Sequence, residues 1–190
     1  MKKIVDMVMA DRRYMKNIEY GKPRSGHPEG KIKYHIAELE ENLEKLAPRI
    51  TKKQYWKLKF LIHVHDTFKA DALPNSPIES PNSHASLARM FASEFTDDED
   101  LLNMIQFHDV NYALWKQYNA FDSYSMERFN RLLETIRDWD LFLLFLIIDG
   151  NIKGKDSSIL TWFIEEVRKF RVTRIDSGWI LQKTQHPFAV

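Results

Sequence analysis

"TKKQYWKLKFLIHVHDTFK", residues 51–69, begins as a helix and ends on chemistry. Thr51 followed by Gln54 has the spacing of a capping box, in which a hydroxyl and an amide side chain satisfy the free backbone donors of a helix start. From Leu58 onward the segment is apolar enough to be core. It nevertheless finishes on His65 and Asp66, with Lys69 one turn beyond His65. An ionised carboxylate buried without a partner costs several kcal/mol or shifts its pKa until it neutralises. The polar end of this helix therefore predicts a charged partner inside the fold.

Outward from this stretch the dominant period is helical. In "KIKYHIAELEENLEKLAPRI" (31–50), Ile32, Ile36, Leu39, Leu43 and Leu46 recur at three- and four-residue steps, and Pro48 closes the helix. Residues 72–83 contain three prolines together with asparagines and serines, which predicts a loop of a length often tied to function. Helices are expected again at "HASLARMFASEF" (84–95) and "DEDLLNMIQFHDVNYALWKQY" (98–118). Two more follow, at "SMERFNRLLETIRDWDLFLLFLIID" (125–149, broken near Asp138) and "SSILTWFIEEVRKF" (157–170). The N-terminal "MKKIVDMVMADRR" carries Asp6 and Asp11 within its apolar stretch and reads as an amphipathic helix, not as a signal peptide. Val172, Ile175, Trp179 and Ile180 of the tail fit a short strand or an extended arm across the domain. The fold class is all-α, a compact multi-helix bundle, with residues 1–190 as one domain.

Composition narrows the function classes. A net charge of +1 argues against a dedicated nucleic-acid binder. The absence of cysteine excludes disulfides, thiolate nucleophiles and cysteine-ligated zinc, and leaves histidine and carboxylate as ligands for any transition metal. The longest apolar run, "LFLLFLIID" at 141–149, is too short to span a bilayer. A cytoplasmic protein with no membrane partner is the expectation.

Five segments place histidine or aspartate on the apolar face of an expected helix. His35 shares the stripe of Ile32 and Leu39; His65 and Asp66 end the run from Leu58; His84 begins the stripe Leu87, Ala88, Phe91, Phe95. His108 continues Leu101 and Ile105, and Asp149 ends the most hydrophobic run of the chain. One buried histidine is ordinarily a core imidazole bonded to a carbonyl. Five such segments together point to a metal at the bundle centre, where side chains of facing helices converge. Adjacent His65 and Asp66 can turn toward one centre only at a helix end, and Lys69 is placed to reach a phosphate oxygen beside a metal.

These motifs resemble those of the HD-domain superfamily of metal-dependent phosphohydrolases. "HDTFK" (65–69) is similar to its HD-x-x-K signature, "GHPEGKIKYH" (26–35) to its first-helix motif, and "FLIIDG" (145–150) to its last motif. The resemblance covers about residues 26–160. It implies His35, His65, Asp66 and Asp149 as core metal ligands, and His84 and His108 as holders of a second metal with Asp66 bridging. The chain departs from the pattern at Asp109, which makes a second His–Asp pair where some binuclear members carry a second histidine. One or two divalent ions per chain are implied; manganese, iron, cobalt, nickel, zinc and magnesium are not distinguished. Two such ions about 3.5–4 Å apart clamp a phosphoryl group and activate a water for in-line attack. Asp66 and Lys69 would be catalytic, with Lys69 on the phosphate oxygens; Arg89 fits either a place beside it or, slightly better, a solvated helix position.

The implied function is hydrolysis of a small phosphoester, a nucleotide among the candidates. The alternatives are a non-catalytic HD module that binds a nucleotide or a protein, and an HD-type di-iron oxygenase. Other polar features have simpler readings. "TDDED" (96–100) is a capping box from Thr96 to Glu99 with acidic residues in the first turn. His63 lies on another helical face and is structural, His27 precedes the first motif helix, and His186 carries no signal. Lys52, Lys53, Lys57 and Lys59 form a solvated face. Tyr112, Trp115 and Tyr118 suit either a pocket rim or the core.

Overall fold

The structure, a computed structural model, describes residues 1–23 and 28–181. His27 and His186 lie outside the described residues. The described chain is helical, without strands, and packs as the expected multi-helix bundle. Its helices are α1 (Lys2–Ala10), α2 (Arg12–Asn17), α3 (Ile32–Leu46), α4 (Lys52–Val64) and α5 (His84–Ser93). They continue with α6 (Glu99–Phe107), α7 (Val110–Phe121), α8 (Met126–Thr135), α9 (Trp139–Gly150) and α10 (Ser158–Arg168). None is long and apolar enough to cross a membrane.

Two helices form the centre. α9 is buried on every side from Leu141 to Ile148, as its uniformly apolar sequence requires. α4 packs against α9 and is surrounded by α1, α3, α5 and α6. Its start is the capping box read from the sequence, with the Thr51 hydroxyl accepting from the Gln54 backbone and the Gln54 side chain accepting from the Thr51 backbone. α3 covers both central helices through Leu39, Leu43 and Leu46. At the end of α9, Gly150 lets Leu160 of α10 approach so closely that an added Cβ would lie 2.9 Å from both its methyl carbons.

Several boundaries differ from the sequence reading, each for a local reason. The N-terminal helix divides at Asp11, whose carboxylate accepts from the Arg13 backbone and starts α2. The cap of α6 is Asp98, not Thr96: Asp98 accepts from the Leu101 backbone, while the Thr96 hydroxyl accepts from Asp98 itself. The segment 98–118 is two helices, divided at His108 and Asp109. The break near Asp138 is present, with Asp138 capping α9. In the tail no strand forms among the described residues. Past α10 the chain continues through buried Ile175 to a short 3-10 turn at Ser177–Trp179, where Arg49 lies 3.9 Å above the Trp179 ring.

Candidate metal centre

The central helices end where the polar residues begin. After His65, whose backbone N–H still bonds Leu61, the chain changes to three-residue turns: Thr67 bonds Val64 and Lys69 bonds Asp66. The regular helix ends here, and His65 and its neighbour Asp66 both reach one centre. α3 contributes His35, and the last turn of α9 contributes Asp149. The Asn42 amide on α3 donates to the carbonyls of Ile148 and Asn151, both at 3.1 Å, and so fixes the end of α9 that carries Asp149.

One carbonyl of the 72–83 loop gathers donors from the loop, α5 and α6. The oxygen of Ile78 accepts from Ser83 Oγ at 2.6 Å, from Gln106 Nε2 at 2.6 Å and from Ser86 Oγ at 3.3 Å. Ser83 then caps α5, which starts at His84. Gln106 is on α6, two residues before His108, so the same cluster of bonds ties His84 to His108.

The result is two adjoining donor groups, His35–His65–Asp149 and Asp66–His84–His108, each with its ligand atoms within 4.8 Å of one another. Asp66 stands between them. Its Oδ2 lies 3.7 Å from His35 Nε2 and 3.5 Å from His65 Nε2; its Oδ1 lies 3.7 Å from His84 Nε2 and 3.4 Å from His108 Nε2. Asp149 Oδ1 is 3.2 Å from His35 Nε2 and 3.8 Å from His65 Nε2. Most of these separations are long for hydrogen bonds. They match the spacing of about 3.4 Å between ligands held near 2.1 Å around a tetrahedral ion.

Backbone groups orient the rings. His65 Nδ1 lies 3.1 Å from the Leu61 carbonyl and 3.2 Å from that of Ile62, and His108 Nδ1 lies 2.7 Å from the Ile105 carbonyl. A carbonyl can only accept, so these nitrogens carry the hydrogen and Nε2 is the atom turned to the centre. His65 Nε2, Asp66 Oδ1 and Asp149 Oδ1 are buried and have no hydrogen-bond partner. Opposite one another, His84 Nε2 and His108 Nε2 are 3.3 Å apart, which requires a shared proton or cation between two otherwise repelling lone pairs. The residues present therefore fit a bound cation.

Charge in the group is strongly coupled. Burial presses the His65 pKa down to about 3 against the opposing field of Asp66, leaving the neutral imidazole that a metal requires. For His35 burial also opposes the charge, but Asp149 and Glu29 outweigh it and raise the pKa to about 9. His108 behaves alike: burial is outweighed by Asp109 and Asp66, and its pKa rises to about 9. Burial would raise Asp66 and Asp149, yet Lys69 beside the first, Lys155 beside the second and the nearby imidazoles hold both well below the carboxylate range.

Of the residues singled out in the sequence, His35, His65, Asp66, His84, His108 and Asp149 come together. Lys69 forms an ion pair with Asp66 Oδ2. Arg89 is the exception, since its guanidinium bonds Asn103 at 2.8 Å and Glu99 at 2.7 Å, joining α5 to α6 instead of facing the centre. His63 is placed away from the group, between the Tyr14 hydroxyl at 2.6 Å and Glu40 at 3.0 Å. Lys57 and Lys59 pair with Asp98 and Glu40. Trp115 and Tyr118 pack on Trp162 of α10, whereas Tyr112 is exposed.

Three further residues join the site. Glu29, its side chain 3% exposed, reaches within 3.4 Å of His35 Nδ1. Lys155 Nζ binds Asp149 Oδ2 at 2.8 Å and its carbonyl at 3.1 Å, turning Oδ1 toward the histidines. Asp109 Oδ2 is 3.3 Å from His84 Nε2 and 3.6 Å from His108 Nε2. Glu29 and Lys155 sit in turns without any periodicity to mark them. Asp109 was visible only as a repeat of the His–Asp pair. Comparison of the chain with protein-family models, with curated proteins and with solved structures finds no match in any of the three.

Proposed function

We propose that this protein is a metal-dependent phosphohydrolase of the HD-domain kind, acting on a small phosphoester such as a nucleotide. The observation that carries this reading is the pair of donor groups with Asp66 between them, in which His65 Nε2, Asp66 Oδ1 and Asp149 Oδ1 are buried without a hydrogen-bond partner. His35, His65, Asp66 and Asp149 would hold one divalent ion, and Asp66, His84 and His108 a second. Bound there, the ions supply Lewis acidity toward a phosphoryl oxygen and make a water nucleophilic at neutral pH.

The chain's own residues account for the rest. The Leu61, Ile62 and Ile105 carbonyls lock His65 and His108 in the tautomer that presents Nε2. Lys155 and Asn42 fix Asp149 and the helix end that carries it. Lys69 is the cation best placed for phosphate: it is tethered at Asp66, with its side chain 23% exposed, and can turn from carboxylate to an equatorial phosphoryl oxygen.

The test is metal content per chain on tag-free protein, followed by assay of the metal-loaded protein against p-nitrophenyl phosphate, its bis-ester and nucleoside monophosphates. Bound metal and metal-dependent phosphate release, both lost in Asp66→Asn, are expected. Metal binding without turnover of any phosphoester would favour a binding module. Iron retention with oxygen uptake would favour the oxygenase.

A further inference from the structure

Asp109 has a position that its local structure does not explain. It precedes the first residue of α7, where an aspartate normally caps, yet its side chain accepts no hydrogen bond from that helix. Among the described residues its ion-pair contacts are His84 and His108, through Oδ2 at 3.3 and 3.6 Å. The same two nitrogens lie 3.7 and 3.4 Å from Asp66 Oδ1. That oxygen belongs to a side chain 6% exposed and has no hydrogen-bond partner. Two imidazole nitrogens 3.3 Å apart thus each lie within 3.7 Å of an oxygen from two different carboxylates.

We propose that Asp109 is the terminal carboxylate ligand of the second half-site, so that the centre consists of two chemically matched halves. Each half has two imidazoles and one aspartate of its own: His35, His65 and Asp149 in the first, His84, His108 and Asp109 in the second. Asp66 is shared. The inference rests on the two-metal reading and extends it.

The backbone supports the match. His65–Asp66 stands at the end of α4 and His108–Asp109 at the joint of α6 and α7. In both pairs the histidine Nδ1 points back to a carbonyl of its own helix. A His–Asp pair at a helix end thus reaches the centre twice. Charge agrees as well: two divalent ions carry four positive charges, and a third carboxylate brings the ligand set nearer to neutral than two would. A donor set of nitrogen and carboxylate oxygen in both halves further implies that both take the same class of borderline ion, not a soft ion in one and a hard ion in the other.

The experiment is calorimetric titration of apo protein with cobalt(II) alone, for wild type, Asp109→Asn and Asp109→Glu, each checked for helicity by circular dichroism. Two binding events are expected in the wild type. Asp109→Asn, nearly isosteric but a poor ligand, should leave the first intact and weaken the second at least tenfold, whereas Asp109→Glu keeps a carboxylate and should retain both. Unchanged binding in Asp109→Asn would overturn the assignment, and loss of turnover with two metals still bound would make Asp109 a proton-transfer residue instead. A wild type that binds a single ion overturns the matched halves and leaves the proposed function standing. A wild type that binds none overturns both.

Discussion

The two halves of the centre offer the same chemistry behind different walls. His35, His65 and Asp149 are enclosed by α3, α4 and α9, with side-chain exposures of 3%, 1% and 15%. His84, His108 and Asp109 hang from α5 and the α6–α7 joint, with exposures of 21%, 2% and 51%. Depth, not donor type, separates them. The inner half lies against the central helices, where α9 must be buried on all sides. The outer half is formed by peripheral helices that have one face to solvent. On the proposed reading, an ion in the inner half is expected to be retained and one in the outer half to exchange with solvent.

The largest expected effect comes from removing what the halves share. Asp66→Asn should lower metal content toward zero and reduce phosphoester hydrolysis by more than about 100-fold, beyond the effect of losing an outer partner. Elemental analysis and initial rates check this, and two ions retained in the variant would break the idea of a bridge. Next, chelator treatment should strip metal in two phases, the outer half first. A single phase followed with a colorimetric metal indicator would show that the difference in exposure has no kinetic meaning.

Smaller effects probe the inner half. Lys155 holds the back of Asp149, so Lys155→Met should weaken the tighter cobalt binding by about 10- to 100-fold and spare the other. Asn42→Ala removes a buried donor from the carbonyls of Ile148 and Asn151, at an expected cost of about 1–3 kcal/mol in a urea titration. A variant as stable as wild type would mean that the end of α9 does not depend on this amide.

The smallest effect lies outside both halves, at His63. Its contact with Glu40, opposed by partial burial and assisted by Lys59, lowers the Glu40 pKa from 4.5 to about 2. A depressed carboxylate pKa contributes stability above the unfolded value that is lost as pH falls through the folded one. Glu40→Gln should therefore flatten the fall in urea midpoint between about pH 4.5 and 2 while leaving metal content unchanged. An identical pH profile in the variant would show that the contact carries no linkage.

His63 and His65 show how far one-dimensional reading reaches. They are two residues apart at the end of α4, and the period assigns them to different faces; the structure gives one a brace with Tyr14 and Glu40 and brings the other to the centre. The same logic of polar residues on apolar stripes brought His35, His84, His108 and Asp149 into view, because burying such groups demands a common partner. Arg89 had two readings, phosphate contact or ordinary helix residue, and it is bound to Asn103 and Glu99. A cation on an amphipathic helix has many possible partners, and sequence spacing does not choose among them.

The sequence by itself determined the helical class, the apolar run at 141–149 that Asp149 ends, and the histidines and aspartates that had to meet inside. Periodicity and the cost of burial are local or nearly local properties, readable along the chain. Only the tertiary structure decided that 98–118 breaks at His108–Asp109, that Glu29 and Lys155 stand behind His35 and Asp149, and that one half is closed and the other open. Those outcomes depend on which helix ends lie side by side, and on long-range contacts that no window of sequence contains.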